Sequence, residues 1–315
     1  MSKFSVLTVG DCTIDIFLNI HEENAHCKLN KTDSNLCISY GEKIQVDPSE
    51  FLLGGIACNV TVGLSRLGIH TSFYAEIGDD EFSQKITNTL LQENIDVSHI
   101  TKTPHSKSSF AIGINFQAER TLFVSHVNRK HSFNLEDVSS PFVFLAGLGE
   151  EWKGAYANVL EYVKKHNAKL ALSLGSQQLQ EGYESIAQTL KNTYLLFLNK
   201  EEAIRLVNNK TSDISELLKA LQEYGPSIVV ITDGKNGSYN IDEQKIIRSE
   251  KIQEVQVIEK TGAGDAYASG FLAAIIQGKS IEEAMQWGSI NAASVIGKIG
   301  AQAGLLTKGG MASRL

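Results

Sequence analysis

The sequence has few of the residues and patterns that mark several common protein classes. It has four prolines and four cysteines in 315 residues, and no apolar run of about 18 residues. The scarce proline leaves no proline-rich linker, and the cysteines form no CxxC pair and no zinc-type spacing. Asp11 and Asp15 interrupt the apolar start, which therefore predicts no signal peptide. We expect a cytoplasmic protein with reduced thiols and no membrane span.

Positive charge is also in short supply, because 29 basic residues face 36 acidic ones and the net charge is −7. Proteins whose main partner is nucleic acid usually carry a basic face. The acidic balance therefore argues against nucleic acid and against an anionic membrane as the partner. A small anionic ligand is still allowed, because a local group of backbone N–H donors can hold a phosphate.

The order of apolar segments predicts an α/β fold. From Phe142 onwards, continuous apolar strands alternate with helical patterns, which is typical of a parallel sheet with helices on both faces. Residues 16–50 and 108–126 instead show short, alternating runs. We expect these two segments to pair with each other as a small second sheet. The length then fits one large α/β domain with an insertion better than two equal domains.

Two familiar nucleotide motifs are missing. No GxxxxGK[ST] loop occurs, which excludes a P-loop enzyme, and the first strand is followed by DCTID rather than GxGxxG, which removes the usual dinucleotide reading. Instead, Thr261–Asp265 (TGAGD) precedes an apolar helix. The glycines would expose N–H groups at the positive end of that helix, which suits a phosphate. Asp265 either takes a proton from an attacking hydroxyl or only stabilises the helix N-terminus.

A second glycine-rich stretch, Leu53–Asn59 (LGGIACN), runs into another helix. The double glycine allows the backbone to approach a ligand closely. Asn59 falls on the first helical turn, where its amide can donate to and accept from hydroxyl groups. Taken alone, the stretch is equally explained as a glycine turn before an ordinary amphipathic helix.

Together, the two stretches resemble the signatures of the ribokinase-like (PfkB-type) carbohydrate kinases. The GGxAxN segment leads into a helix that ends RLG, and TGAGDA lies near the C-terminus, so the likeness covers essentially the whole chain. Smaller segments agree with the family's pattern; they are Gly10–Asp15, Glu76–Asp80, Asn199–Glu202, Thr232–Gly237 and Asn291. Taken alone, most of these segments have an ordinary structural explanation. The resemblance rests on their occurring together in this order.

The resemblance implies a ribokinase-like three-layer α/β sandwich with a mostly parallel central sheet. Residues 1–315 would form a single domain. A small β-sheet lid would be discontinuous in sequence, from roughly residues 13–50 and 102–126. The implied activity is ATP-dependent phosphoryl transfer to a sugar hydroxyl, with Mg²⁺ as the second cofactor. Two copies of the chain would pair through their lids as a homodimer.

The resemblance also implies roles for individual residues. Asp265 would be the general base, and the N–H groups of Gly262, Ala263 and Gly264 would stabilise the transferring phosphoryl group. Glu202 would hold Mg²⁺ through water. The residues implied in sugar binding are Asp15, Gly54, Gly55 and Asn59. The residues implied in nucleotide binding are Asn199, Glu202, Thr232, Gly234, Gly237 and Asn291.

One segment departs from the family pattern, and two other functions stay open. Where the family often has DTT before GAGD, this chain has Glu259, Lys260 and Thr261, so we do not predict a potassium site. A nucleoside kinase on the same fold is an alternative, with an aromatic slot for a base from Phe17, Phe110 and Phe116. A second alternative is a sugar- or nucleotide-binding regulator without catalysis, although the intact TGAGD argues against it.

Overall fold

A computed structural model gives the fold and describes residues 2–21, 23–24, 26–30, 35–47, 51–116, 119–131, 134–135, 138–251 and 255–315. Parts of the two predicted lid segments, such as 31–34, 48–50 and 117–118, lie outside these residues. Within the described ranges, no helix combines the length and the apolar character needed to cross a bilayer.

The strands follow one another along the chain as β1 (Ser2–Lys3), β2 (Val6–Val9), β3 (Thr13–Asn19), β4 (Cys27–Asn30), β5 (Asn35–Ile38), β6 (Phe51–Gly54), β7 (Thr71–Gly78), β8 (Ile100–Thr103), β9 (Phe110–Phe116), β10 (Glu119–Ser125), β11 (Val138–Ser139), β12 (Phe142–Ala146), β13 (Lys169–Ser173), β14 (Leu195–Asn199), β15 (Ile228–Thr232), β16 (Ser238–Ile241) and β17 (Ile247–Glu250). The helices are α1 (Ile56–Arg66), α2 (Glu81–Gln92), α3 (Trp152–His166), α4 (Ser176–Glu181), α5 (Tyr183–Lys191), α6 (Lys200–Leu206), α7 (Ile214–Glu223), α8 (Ala263–Ile276), α9 (Ile281–Ile296) and α10 (Lys308–Ala312).

The main sheet has nine strands in the order β17-β16-β15-β14-β13-β12-β2-β7-β8. Every pair from β15 to β8 is parallel, and only the pairs β15–β16 and β16–β17 at one edge are antiparallel. This arrangement confirms the parallel sheet predicted from the alternation of strands and helices. It also explains why the central strands read as continuous apolar runs, since both of their faces are covered.

The two faces of this sheet bury different side chains of the same strands. In β12, Phe144 packs in one core cluster with α1, α2, α8 and α9, whereas Val143 and Leu145 pack in a second cluster with α3 to α7. In β15, Val230 belongs to the first cluster and Ile231 to the second. Successive side chains of a strand point to opposite faces, so each strand contributes to both cores. The result is the expected three-layer sandwich.

The small second sheet has four strands in the order β10-β9-β3-β6. Strand β3 pairs with β9 along Ile14–Asn19 and Phe110–Asn115, so the two β-rich segments do pair with each other as expected. The hairpin of β4 and β5 forms a separate pair. Strand β8 pairs with β7 in the main sheet. The second segment of the small sheet therefore begins at Phe110, later than residue 102.

Helix α8 is apolar on all sides because it lies between other helices. Its residues Ala266–Ala274 are all buried, and it packs against α1 and α9. Gly270 allows the approach to α9, since a Cβ there would lie 2.6 Å from the backbone oxygen of Trp287. The burial holds the N-terminus of α8 at a fixed place, which matters for the site described below.

A pair of glycine-to-alanine substitutions tests this packing. Gly270→Ala should lower the free energy of unfolding by about 1–3 kcal/mol, because the added methyl group meets rigid backbone. Gly154→Ala, in α3, should instead raise it by about 0.5–1 kcal/mol, because the site is open and alanine favours a helix. Urea unfolding of both variants measures the two changes. Equal effects at the two glycines would contradict the close contact between α8 and α9.

Candidate active site

The main sheet has a topological switch point at β2. The chain continues from β2 to β7 on one side of it, whereas β12 lies on the other side. In open α/β sheets, the crevice at the carboxyl ends of such strands is where ligands bind. A cavity of about 440 Å³ lies there, lined by Asp11 after β2, Gly147 after β12, Gly175 after β13, and Gly55 before α1.

At each of the two glycines before α1, the side chain of any other residue would collide with a neighbouring group. Gly55 has φ +96°, and a Cβ there would lie 2.5 Å from the backbone oxygen of Asp11. A Cβ on Gly54 would lie 2.2 Å from the carboxylate of Asp15. Strand β6 pairs with β3 at this point, and Thr13 donates a hydrogen bond of 2.9 Å to Asp15. Gly54 therefore leaves the room that the Asp15 carboxylate occupies, while Gly55 itself lines the cavity.

The Asn59 side chain is buried on the first turns of α1 and joins the two glycine-rich stretches. Its Nδ2 donates a hydrogen bond of 2.8 Å to Oδ2 of Asp265, across 206 positions in the sequence. Its Oδ1 accepts a hydrogen bond of 2.9 Å from Nε2 of Gln302. The structure therefore brings the predicted base and a predicted sugar-binding residue into direct contact.

The carboxyl group of Asp265 has a pKa raised to about 6. Burial is the main cause, since loss of water disfavours the charged form, and the negative charge of Asp15 adds to it. The hydrogen bond from Asn59 works in the other direction, because it stabilises the carboxylate. At neutral pH the group is thus mostly ionised, with a proton affinity higher than that of an ordinary aspartate. A general base near its operating pH has this property.

The N-terminus of α8 presents backbone N–H groups beside Asp265. Gly262 precedes the helix in the left-handed conformation at φ 73°, and a Cβ there would meet Ala301 at 2.4 Å. The N–H of Ala263 already donates to the carbonyl oxygen of Lys260 at 3.3 Å. Gly264 is exposed with open space around it, so its N–H is the most accessible of the three predicted donors.

A narrower cleft of about 90 Å³ lies beside the same helix end. Three of the predicted nucleotide-binding residues, Thr232, Gly234 and Gly237, line it together with Ala263 and Gly264. The turn after β15 is fixed by bonds of its own, since the N–H of Asp233 donates to the oxygen of Gly237 at 2.8 Å. The glycines of this cleft have no side chains, so a flat group could lie directly against their backbone.

Asn199 and Glu202 form a reciprocal cap at the start of α6. The N–H of Glu202 donates to the Asn199 side chain, and the N–H of Asn199 donates to the Glu202 carboxylate, both at 2.9 Å. Burial raises the pKa of Glu202, and the charge of Asp265 raises it further. The two carboxylates are thus near enough to interact.

The acidic groups near the N-terminus of α8 could supply some, but not all, of the ligands of a Mg²⁺ ion. Among the described residues, no three acidic, histidine or cysteine side chains cluster as a complete metal site. Mg²⁺ bound with a nucleotide usually keeps several waters and takes only one or two carboxylates. Glu202 has one carboxylate oxygen beyond the cap, so it suits a contact through water.

Asn291 is not among the residues that line the predicted nucleotide cleft. It is completely buried in α9. Its Nδ2 donates to the oxygen of Ala266 at 2.9 Å and to Ser269 at 3.1 Å, and its Oδ1 accepts from the N–H of Leu306 at 3.0 Å. All its polar atoms are used to hold α8, α9 and the C-terminal segment together. These bonds give Asn291 a structural role, and its nucleotide-binding role stays a prediction.

Glu259, which departs from the family pattern, forms hydrogen bonds within the protein. Its buried carboxylate accepts a hydrogen bond of 2.8 Å from the N–H of Gly300. The N–H of Glu259 itself donates to the oxygen of Ile296. These bonds tie the loop before α8 to the loop after α9. We add no potassium site.

Two residues of this region escaped the sequence analysis. Asp11 lines the main cavity, and burial raises its pKa to about 6. Gln302 reaches Asn59 from a loop near the C-terminus. A signal for Asp11 existed, since it follows the first parallel strand. Gln302 had none, because its contact depends on how the loop after α9 folds back.

Comparison with known proteins agrees with this geometry. A family model described as pfkB family carbohydrate kinase matches residues 5–308. The chain belongs to that family. A carbohydrate kinase of the pfkB family is a phosphotransferase that acts on a sugar, so the chain is an enzyme of this class.

Three relatives illustrate the range of the pfkB family. A 5-dehydro-2-deoxygluconokinase of Clostridium tetani is 28% identical over 267 residues, with 78% of each chain covered. A nucleoside kinase of Methanocaldococcus jannaschii is 26% identical over 280 residues, covering 86% of this chain and 88% of its own. A putative ribokinase II of Escherichia coli, solved in complex with ATP and Mg²⁺, has a TM-score of 0.81 at 15% identity and 98% coverage of both chains. The last likeness shows the shared ribokinase-like fold.

The contact between Gly54 and Asp15 gives a test of the site. In Gly54→Ala the methyl group should displace the Asp15 carboxylate, and the KM for the sugar should rise about tenfold or more, as expected for a lost charge-assisted hydrogen bond. The KM for the nucleotide should stay unchanged, because Asp15 lies in β3 and is not among the residues that line the cleft at Thr232 and Gly237. Steady-state kinetics measures both constants.

Gly309→Ala is the matched control for this substitution, since nothing lies within 4 Å of a Cβ at that position. An unchanged sugar KM in Gly54→Ala would contradict the placement of Asp15 in the sugar site.

Proposed function

We propose that this enzyme transfers the γ-phosphoryl group of ATP to a hydroxyl group of a sugar, with Asp265 as the general base. The observation that carries the proposal is the position of Asp265. It lies in the first turn of α8, where it is bonded to Asn59 of α1, and its neighbours Ala263 and Gly264 line the cleft at Thr232 and Gly237. A group placed there can meet a sugar from one side and a nucleotide from the other.

The first step is removal of a proton from the attacking hydroxyl. Asp265 has a pKa raised to about 6 and is ionised at neutral pH, so it can accept that proton while the oxygen attacks phosphorus. Asn59 fixes one carboxylate oxygen by its hydrogen bond. The other oxygen is left for the substrate. Asp15, Gly54, Gly55 and Asn59 would orient the sugar from the side of the main cavity.

The second requirement is stabilisation of the transferring phosphoryl group. Its negative charge needs donors that are already in place, because phosphoryl transfer depends on positioning and electrostatics. Gly264 offers an open N–H at the positive end of α8, with Gly262 and Ala263 beside it. The N–H of Ala263 would first leave its bond to Lys260.

Mg²⁺ would neutralise phosphate charge and link the nucleotide to the protein through water. Glu202 suits this role because its side chain lies near Asp265 and retains one free oxygen beyond the Asn199 cap. Thr232, Gly234 and Gly237 would hold the nucleotide against the cleft. The ATP and Mg²⁺ bound to the Escherichia coli structure support this pair of cofactors for a chain of the same fold.

A nucleoside is the second candidate acceptor. Phe17 follows Asp15 by two residues in β3, so the two side chains lie on the same face of the small sheet. An aromatic ring at that place could stack on a base while Asp15 holds the ribose. Phe110 and Phe116 instead pack into core clusters. The similarity to a nucleoside kinase supports keeping this candidate.

The small sheet would act as a lid that excludes water during transfer. Leu122, Phe123 and Val124 in its strand β10 are about half exposed. An apolar edge of this kind suits pairing with a second copy of the chain. Closure of the lid and the homodimer stay predictions.

Replacement of the base tests the proposal directly. Asp265→Asn keeps the shape and the polar contact but removes the group that accepts the proton. We expect kcat to fall by a factor of about 10² to 10⁴, whereas ATP should bind as in the wild type. Coupled kinase assays over neutral sugars, sugar acids and nucleosides, together with calorimetric titration of ATP, measure the two effects.

Asp213→Asn is a suitable control, because Asp213 caps α7 and asparagine caps a helix equally well. It makes the same chemical change at another helix N-terminus and should leave kcat unaltered. Wild-type turnover in Asp265→Asn would remove Asp265 as the base. Bound ATP without transfer by the wild type to any acceptor would favour the regulator instead.

A further inference from the structure

The ionised carboxylate of Asp265 sets the polarity of a chain of amide groups. A carboxylate can only accept hydrogen bonds, so Asn59 must turn its Nδ2 towards Asp265, as it does at 2.8 Å. Oδ1 of Asn59 then faces Gln302, which must donate, and its Nε2 does so at 2.9 Å. Each amide therefore has a single orientation that satisfies its neighbour.

The main chain at Gln302 is fixed from outside this chain of amides. Nη1 of Arg66 donates to the carbonyl oxygen of Gln302 at 2.6 Å. The same guanidinium forms two bonds to the carboxylate of Glu93, at 2.9 and 2.6 Å. A bidentate ion pair of this geometry holds the arginine in one position. The loop that carries Gln302 is thus anchored at the residue itself.

One helix supplies both the anchor and the target of Gln302. Asn59 and Arg66 are seven residues apart in α1, about two turns, so they lie on the same face of the helix. Arg66 holds the Gln302 main chain while Asn59 receives its side chain. The position of the Gln302 amide relative to the Asn59 amide is therefore set by a single helix.

We propose that Gln302 is a positioning residue of the phosphoryl-transfer site, which fixes the Asn59 amide so that Asn59 holds Asp265 in its base-competent orientation. Without Gln302, Oδ1 of Asn59 loses its bond at 2.9 Å, so the amide is held at one end only and its bond to the carboxylate is weaker. Gln302 does not touch the substrate in this scheme and acts only through Asn59. The inference rests on the proposed function, because it requires Asp265 to be the base.

A double-mutant cycle tests whether Gln302 acts through Asn59. Gln302→Met has a similar length and no hydrogen-bonding amide. We expect its kcat at pH 7 to fall about tenfold, while the KM for ATP stays unchanged. In an Asn59→Ala background, Gln302→Met should cause no further loss. If the two losses multiply instead, Gln302 acts independently of Asn59 and the proposal is wrong.

The pH profile separates positioning from a merely structural effect. The Asn59 bond lowers the pKa of Asp265, so its weakening in Gln302→Met should raise that pKa and move the acid limb of kcat upwards by about one pH unit. The other ionisable groups that face Asp265 are Asp15 from β3 and Glu202 from α6, and both remain in every variant. A uniform loss of kcat at all pH values would show a structural role and overturn the proposal.

Two controls complete the experiment. Gln277→Met removes an exposed glutamine at the C-cap of α8, whose Nε2 donates to the oxygen of Leu67, and should leave kcat and its pH profile unchanged. Gln302→Leu provides a second apolar variant in case Gln302→Met does not fold, as judged by its melting temperature. If Asp265→Asn retains full turnover, the proposed function fails. If Asp265→Asn is inactive but Gln302→Met matches the wild type, only this inference fails.

Discussion

The hydrogen bond between Asn59 and Asp265 is the interaction on which the site depends. It joins the first turns of α1 to the first turn of α8, two helices that pack side by side on one face of the main sheet. Gly55 and Gly262 each adopt a positive φ immediately before a helix, at 96° and 73°. The N-terminus of α1 lines the cavity at the switch point, and that of α8 lines the cleft at Thr232 and Gly237. In the proposed reaction, the positive ends of both helices would stabilise the negative charge of the phosphoryl group.

Burial gives this arrangement its chemical character. Asp265 and Asp11 both have a pKa raised to about 6, and in both cases the main cause is loss of water around a carboxyl group. An acidic protein can still hold a polyanion such as ATP if the binding groups are backbone N–H donors rather than side-chain cations, as the proposed function requires. The net charge of −7 therefore says little about the nucleotide.

Much of the fold could be predicted from the sequence, and particular residues show why. Phe142–Ala146 and Ile228–Thr232 are apolar throughout, which indicates strands with both faces covered. The ends of α9 follow from Ser280 as its cap and Gly297 after it. The glycine pair before α1 could be predicted, because glycine spacing next to a helix is a local signal. The same region holds the predicted residues Asp15, Gly54, Gly55 and Asn59. In contrast, β8 could not be assigned to the main sheet. Nothing in the four residues Ile100–Thr103 indicates that they pair with β7.

Some contacts of the site could not be predicted, because sequence order does not show them. Asn291 was expected to face a nucleotide, yet it bonds to residues 22 and 25 positions before it and to Leu306. Whether an asparagine in an apolar helix points to a ligand or to a neighbouring helix depends on packing alone. Gln302 was missed for the same reason, since its partner Asn59 lies 243 positions away.

The central claim is that the carboxylate of Asp265 accepts the proton of the substrate. The most direct measurement is the pH dependence of kcat for the wild type at saturating ATP and sugar. Because the pKa of Asp265 is about 6 and only the ionised form is a base, kcat should be constant above about pH 7 and fall tenfold per pH unit well below pH 6. A kcat that stays constant from about pH 5 to pH 8 would contradict the claim.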